Sequence, residues 1–175
     1  RSIKILSGLD APSARAYLAR VHDTYGNVLG HEGLLREARI EFENALRLRS
    51  ADDEAGKAIT LGNLGRLCVD AGDFSAAHGF LSADLAIERR LQSGGGRVIA
   101  QLLCDLGLCE LELGNLQVAR AHLEESLRLA QTEPGGNAVG VIFGTLRLGR
   151  LEVASGNPSA AQSFHEQGTA CLATA

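Results

Sequence analysis

The sequence predicts an all-α solenoid of about four antiparallel helix pairs, and three observations carry that expectation. Tight turns at Ala71-Gly72-Asp73-Phe74, Leu113-Gly114-Asn115-Leu116 and Ser155-Gly156-Asn157-Pro158 set their glycines at one constant spacing: Gly72, Gly114 and Gly156. Seven residues before each turn glycine stands a Leu-Gly pair (Leu64-Gly65, Leu106-Gly107, Leu148-Gly149), and five residues after it an alanine (Ala77, Ala119, Ala161). A weaker copy, with Tyr25-Gly26, Gly33 and Ala38 in the same frame, stands one slightly shorter period upstream. Self-similarity at a fixed period of this size marks a stack of supersecondary units, each too small to bury its apolar face alone.

Within a unit the apolar residues recur at helical spacing. Leu61, Leu64, Leu67 and Cys68 form one stripe, and Leu81, Leu85, Ile87 and Leu91 another. The turn between them carries stop and start chemistry. Gly72 suits the left-handed residue that ends a helix, and Asp73 can cap the free amides of the next. In the last copy Pro158 falls at a first helical position, where its missing N–H is not needed. The Leu-Gly glycines lie inside helices, where glycine costs about 1 kcal/mol against alanine. Gly65, Gly107 and Gly149 are therefore expected where a partner helix comes close, opposite Ala77, Ala119 and Ala161. Polar or glycine-rich links at Ser50 to Gly56, Ser93 to Gly96 and Thr132 to Gly136 are expected to join the units. The units then span residues 12–50, 51–92, 93–134 and 135–175, after a helix tail and linker at 1–11.

Composition agrees with this and removes several function classes. The 175 residues, 45% hydrophobic and 22% charged, suit one folded domain. Glycine is in excess at 21 residues, about 12% where about 7% is usual; the frame makes it a periodic packing element instead of a sign of loops. A net charge of −4 and a pI near 5.7 argue against a nucleic-acid or anionic-membrane partner. The uncharged stretches fall short of the roughly 18–20 residues that span a bilayer. The opening Arg1-Ser2-Ile3-Lys4-Ile5-Leu6 lacks the pattern of a secretory signal. A cytoplasmic setting is expected. The abrupt start, and the lack of a polar capping helix after the fourth unit, suggest a segment of a longer chain with apolar ends open to self-association.

No catalytic residue, metal site or cofactor is expected. Cys104 and Cys109 are five residues apart on one helix and so point about 140° apart, too divergent to share a metal. Cys68 and Cys171 stand alone, and all four read as small apolar side chains in a reducing compartment. His22, His31, His78, His122 and His165 form no HExxH pattern. Glu124-Glu125 and Asp52-Asp53 read as solvated faces and first-turn acids. The Ser93 to Arg97 run lacks the spacing of a phosphate-binding loop.

The frame Leu-x2-Leu-Gly-x2-Cys/Glu…Gly-Asp/Asn…Ala-x3-Leu resembles the tetratricopeptide repeat, a helix–turn–helix unit that stacks into a superhelix. Leu61, Leu64, Gly65, Cys68, Gly72, Phe74, Ala77 and Leu81 carry the likeness in the second copy. Leu103, Leu106, Gly107, Gly114, Leu116, Ala119 and Leu123 carry it in the third, and Ala38, Phe42, Ala45 and Leu46 in the first. The fourth departs, with Thr145 and Pro158 at bulky positions and His165 at an apolar one; Phe164 stands ready as a substitute. The units run 39 to 42 residues where about 34 is usual, which implies longer helices and fuller links. Arrays of this longer kind are similar to those in bacterial regulatory ATPases, kinase-linked sensors and kinesin light chains.

The resemblance implies a binding scaffold in which the first helix of each unit lines a concave groove for a protein or peptide ligand. Its inner stripe then comprises Arg20, Asp23, Thr24 and Asn27; Ile59, Gly62, Asn63, Arg66 and Asp70; Gln101, Cys104, Asp105, Leu108 and Glu112; and Phe143, Leu146, Arg147 and Arg150. An acidic middle (Asp70, Asp105, Glu112) is expected to give way to a basic, apolar end (Phe143, Arg147, Arg150). Chaperone-binding members of the family grip a peptide carboxylate through two Asn, two Lys and an Arg. Here Asn27 and Asn63 match, but Asp23, Gln101 and Asp105 replace the cations, and two carboxylates are expected to repel such a ligand. Two other readings stay open: a module that associates with itself or with neighbouring domains, and the effector-sensing arm of an ATP-dependent transcription regulator.

Overall fold

The computed structural model describes residues 11–91, 95–134 and 137–174; the tail expected at 1–11, Ala11 apart, and the link glycines Gly94, Gly135 and Gly136 lie outside them. Among the described residues there are eight helices and no strand. They are α1 (Ala11–His31), α2 (Leu35–Leu48), α3 (Glu54–Asp70), α4 (Phe74–Leu91), α5 (Gly95–Glu112), α6 (Leu116–Thr132), α7 (Ala138–Ala154) and α8 (Pro158–Thr174). The helices pack as α1 with α2, α3 with α4, α5 with α6 and α7 with α8, and each pair stacks on the next.

The four turns within pairs share one geometry. Gly33, Gly72, Gly114 and Gly156 all have φ between 75° and 83°, a region open to glycine without steric penalty. At each turn the next residue's N–H reaches back five residues: Leu34 to Leu29 O, Asp73 to Cys68 O, Asn115 to Glu110 O and Asn157 to Glu152 O, at 2.8–2.9 Å. This is the Schellman closure, which satisfies carbonyls that the helix end leaves free. Asp73 Oδ1 also accepts from the Ala76 N–H at 3.1 Å, the expected cap.

The mid-helix glycines do sit at close approaches, but alanine is not what faces them. A Cβ on Gly65 would lie 2.5 Å from the Leu81 side chain, and one on Gly107 would lie 2.6 Å from Leu123. Each leucine occupies the notch its partner glycine leaves. Gly149 differs: its nearest neighbours are Ala161 O at 3.5 Å and Phe164 Cβ at 3.7 Å, ordinary contact distances. The cause is visible in the frame, because His165 holds the register of Leu81 and Leu123. His165 is exposed, and Phe164 packs against the core in its place.

The core is a row of clusters, each shared by neighbouring pairs. Phe42, Leu64 and Leu67 join the first two pairs; Leu81, Leu85, Leu103 and Leu106 join the second and third; Cys104, Leu123, Leu148 and Leu151 join the last two. Burial of such side chains contributes roughly 1.5–3 kcal/mol each. The extra length of each unit resides in helices of 14–21 residues. The links are shorter than the sequence suggests: α3 begins at Glu54, so Gly56 lies in its first turn, and α5 begins at Gly95. Asp53 and Asn137 cap α3 and α7 by accepting from Gly56 N–H at 3.0 Å and Gly140 N–H at 2.9 Å.

Candidate binding groove

The helices α1, α3, α5 and α7 lie side by side along one face of the stack. Their turns end together, so residues one period apart become neighbours across adjacent helices. A hollow of about 400 Å³ on this face draws from all four: Asn27 of α1, Asn63, Arg66 and Asp70 of α3, Gln101 and Asp105 of α5, and Arg147 of α7. A further hollow of about 380 Å³ continues it past Arg20, Asp23, Thr24 and Ile59.

Most of these side chains are held by each other. Asn63 is buried and its Oδ1 accepts from Arg66 Nη2 at 2.6 Å, while Arg66 itself is exposed. Gln101 Nε2 donates to Asp105 Oδ2 at 3.0 Å, and Arg147 Nη1 donates to Asp105 Oδ1 at 2.8 Å. The Arg147 guanidinium lies 5.8 Å from the centre of the exposed Phe143 ring. Arg150 pairs with Glu112 at 2.5 Å. Asp105 with Arg147 and Glu112 with Arg150 each join α5 to α7.

These pairs correct the expected charge layout. The acidic middle and basic end are not separate zones, because Arg147 and Arg150 neutralise Asp105 and Glu112 across one helix spacing. Asp70 and Arg66 remain exposed on α3. Asp23 is likewise no open groove acid: it is buried, and Arg49 Nη2 lies 2.5 Å from its Oδ2, which also accepts from Thr60 Oγ1 at 3.1 Å. Both carboxylates are paired internally, Asp23 with Arg49 and Asp105 with Arg147, so neither stands as an unpaired charge on the groove. Leu108 and Cys104 are buried and present almost no surface to the groove.

Arg49 escaped the sequence reading because its partner Asp23 lies far off in the chain with no periodic counterpart. Arg49 Nη1 also binds Asp53 Oδ2 at 2.9 Å, so one guanidinium ties α1 to the cap of α3. Asp84 also escaped it, although the frame carried a signal. Its register holds Ala45, Ser126 and Gly168 in the other copies, and an acid is the exception there. Burial, reinforced by the Glu88 charge and opposed by Arg66, pushes the Asp84 carboxyl up to about 7.

Groups with reactive potential are subdued. The four cysteines are thiols and not disulfides; Cys68, Cys104 and Cys109 are buried, and Cys171 is half-buried. Burial raises the pKa of Cys68 and Cys104 and takes Cys109 to about 11, so little thiolate forms at neutral pH. His22 lies 2.6 Å from Glu41 and His78 lies 2.9 Å from Glu110. Among the described residues no group of three or more His, Cys, Asp and Glu is placed to hold a metal ion, and no helix is long and apolar enough to cross a membrane.

The sequence matches the tetratricopeptide repeat family over residues 14–83 and 98–173. No curated protein sequence matches it. Among the solved structures that share its fold are two crystal structures. BtubC (BKLC) from P. vanneervenii is 18% identical with a TM-score of 0.81, over 95% of this chain and 66% of that one. MamA is 16% identical with a TM-score of 0.67, over 89% of this chain and 79% of that one. The chain thus spans a little under two thirds of the length of BtubC.

Proposed function

Because the chain belongs to the tetratricopeptide repeat family, whose arrays generally bind proteins and are typically non-catalytic, we propose that it is a scaffold that holds a protein or peptide segment along its concave face. The observation that carries this reading is the hollow built from four successive first helices, where amides and paired charges converge on one surface. Asn27, Asn63 and Gln101 offer donors and acceptors suited to a peptide backbone. Arg66, Asp70, Phe143 and Arg150 are exposed and would discriminate among side chains. The reduced thiols fit a reducing, cytoplasmic setting, and a place in a larger regulatory or signalling protein remains part of the proposal.

The test is affinity capture with the wild type and with an Arg66→Glu, Arg150→Glu double variant. Both arginines are exposed, so the fold should persist. A partner retained by the wild type and lost by the variant supports the reading; equal retention contradicts it.

One observation favours a second reading, self-association. Tyr17, Val21, Tyr25 and Val28 on α1, with Val139, Val153 and Leu172 on the last pair, are exposed apolar residues at the two ends of the stack. Light scattering that shows mass rising with concentration, unchanged in the double variant, would favour it.

A further inference from the structure

Between α3 and α5 the concave face opens into a hollow of about 400 Å³ that reaches through to α4. Its wall includes Ile59, Gly62 and Arg66 of α3, Asp84 and Glu88 of α4 and Val98 of α5. Gly62 makes the opening. A Cβ there would stand 2.6 Å from Asp84 Oδ2, so the missing side chain lets a second-helix carboxyl reach the first-helix face. Asp84 is only 5% exposed, and its Oδ1 has no hydrogen-bond partner. Leaving a buried polar atom unmatched is unfavourable.

The repeat frame shows that architecture does not require an acid here. Ala45 and Gly168 fill the same register with little or no side chain. Ser126 fills it with a hydroxyl that donates to Ala100 O at 2.6 Å. An ionised carboxyl only accepts, so Asp84 cannot repeat that bond. The only copy with an acid at this register is also the one whose facing first-helix residue is a glycine at 62, where the other copies have Asp23, Cys104 and Leu146.

We infer that this hollow receives the cationic side chain, lysine or arginine, of a protein segment bound along the concave face. The inference rests on the proposed function and adds the ligand's chemistry to it. An ammonium or guanidinium at Oδ1 supplies the missing donor and offsets the Asp84 charge. The exposed Ile59 and Val98 flank the aliphatic stem. Asn63 and Gln101, at the same hollow, face the backbone of such a segment, which favours a protein source over a free amine. Of the other charged residues lining the hollow, Arg66 is bonded to Asn63 and Asp105 to Arg147, while Glu88 of α4 and Arg97 of α5 are each engaged in an interaction of their own.

Binding of a cation to the carboxylate competes with protonation, so affinity should fall as pH is lowered through the raised Asp84 range. The test uses isotope-labelled whole chain and end-capped alanine–glycine peptides carrying one central lysine, arginine or norleucine, with butylamine as a free amine. The lysine and arginine peptides should shift the Gly62, Asp84 and Val98 signals saturably, about tenfold more tightly than the norleucine peptide (~1.4 kcal/mol). Asp84→Asn should lose that advantage and its pH dependence. Asp84→Ser, which copies the Ser126 register, should do the same and guards against a folding defect in the first variant. Equal binding of the norleucine peptide would overturn the inference while leaving groove binding intact. Unchanged affinity in both variants, tighter binding of butylamine than of the lysine peptide, or no shift at these residues would also overturn it.

Discussion

Arg120 Nη1 lies 2.5 Å from Glu152 Oε1, and one period earlier His78 Nε2 lies 2.9 Å from Glu110 Oε1. Each bridge ties the second helix of one pair to the first helix of the next. Each glutamate is buried and also accepts from the asparagine of its own turn: Glu110 from Asn115 at 2.7 Å, Glu152 from Asn157 at 3.0 Å. The alternation of Cys/Glu and Asp/Asn in the frame thereby acquires a cause. Glutamate is accompanied by asparagine, which donates to it, whereas Cys68 is accompanied by Asp73, which would repel a carboxylate and caps the next helix instead.

Arg120→Ala should therefore loosen the last two pairs. Arg120 is 37% exposed at its side chain, so the loss is modest, about 1 kcal/mol. The bonds from Arg120 and Asn157 hold the Glu152 carboxyl below its usual range. A depressed carboxyl contributes stability above its unfolded pKa that is lost as pH falls through the folded one. Thermal melts should show a wild-type advantage over Arg120→Ala near neutral pH that shrinks in acid; an advantage that grows in acid would refute the bridge.

The mid-helix glycines should respond in opposite directions. Gly65→Ala and Gly107→Ala drive a methyl into Leu81 and Leu123, and should destabilise by about 1–3 kcal/mol. Gly149→Ala meets only ordinary contacts and should stabilise by about 0.5–1 kcal/mol through helix propensity. Calorimetric melting of the three variants checks this; a shared sign would contradict the packing described.

Two arginines that pair with first-helix acids should differ by about an order of magnitude. Arg49 is about 5% exposed and faces the buried Asp23, so Arg49→Ala strands a carboxylate and should cost about 3–5 kcal/mol. Arg150 is 59% exposed in its pair with Glu112, and Arg150→Ala should cost about 0.5 kcal/mol or less. Urea unfolding of both variants measures the contrast.

Asp84 should make the free protein less stable as pH rises. Its folded pKa, about 7, lies above that of an unfolded aspartate, so the folded state holds the proton more tightly. The penalty is absent below about pH 4, grows between there and about pH 7, and is full above. Asp84→Asn should gain about 1–3 kcal/mol over the wild type near pH 8, discounted for the partial screening by Arg66, and little near pH 4. Parallel stability curves for the two proteins across this range would be inconsistent with a buried, unmatched carboxyl.

The architecture was legible because the turn glycines, the Leu-Gly pairs and the small second-helix residues repeat in one register, and a repeated register dictates repeated geometry. Even the misfit of the last copy, His165 for leucine, carried its own remedy in Phe164. The groove was legible as a set of positions but not as a charge pattern. Asp105 and Arg147 pair because residues one period apart meet on adjacent helices, a fact that a single-helix stripe does not express. Arg49 and Asp23 pair without periodicity, so nothing in the sequence connects them. Asp84 departs from its register, and the departure is informative only once Gly62 is seen to face it.

The most direct test of the concave-face scaffold is hydrogen–deuterium exchange on the chain with and without a partner retained by affinity capture. Protection is expected on α1, α3, α5 and α7, strongest around Asn63, Arg66 and Gln101, with α2, α4, α6 and α8 unchanged outside the Asp84 turn. Protection confined to the second helices or to the exposed apolar ends, with the groove unaltered, would contradict it.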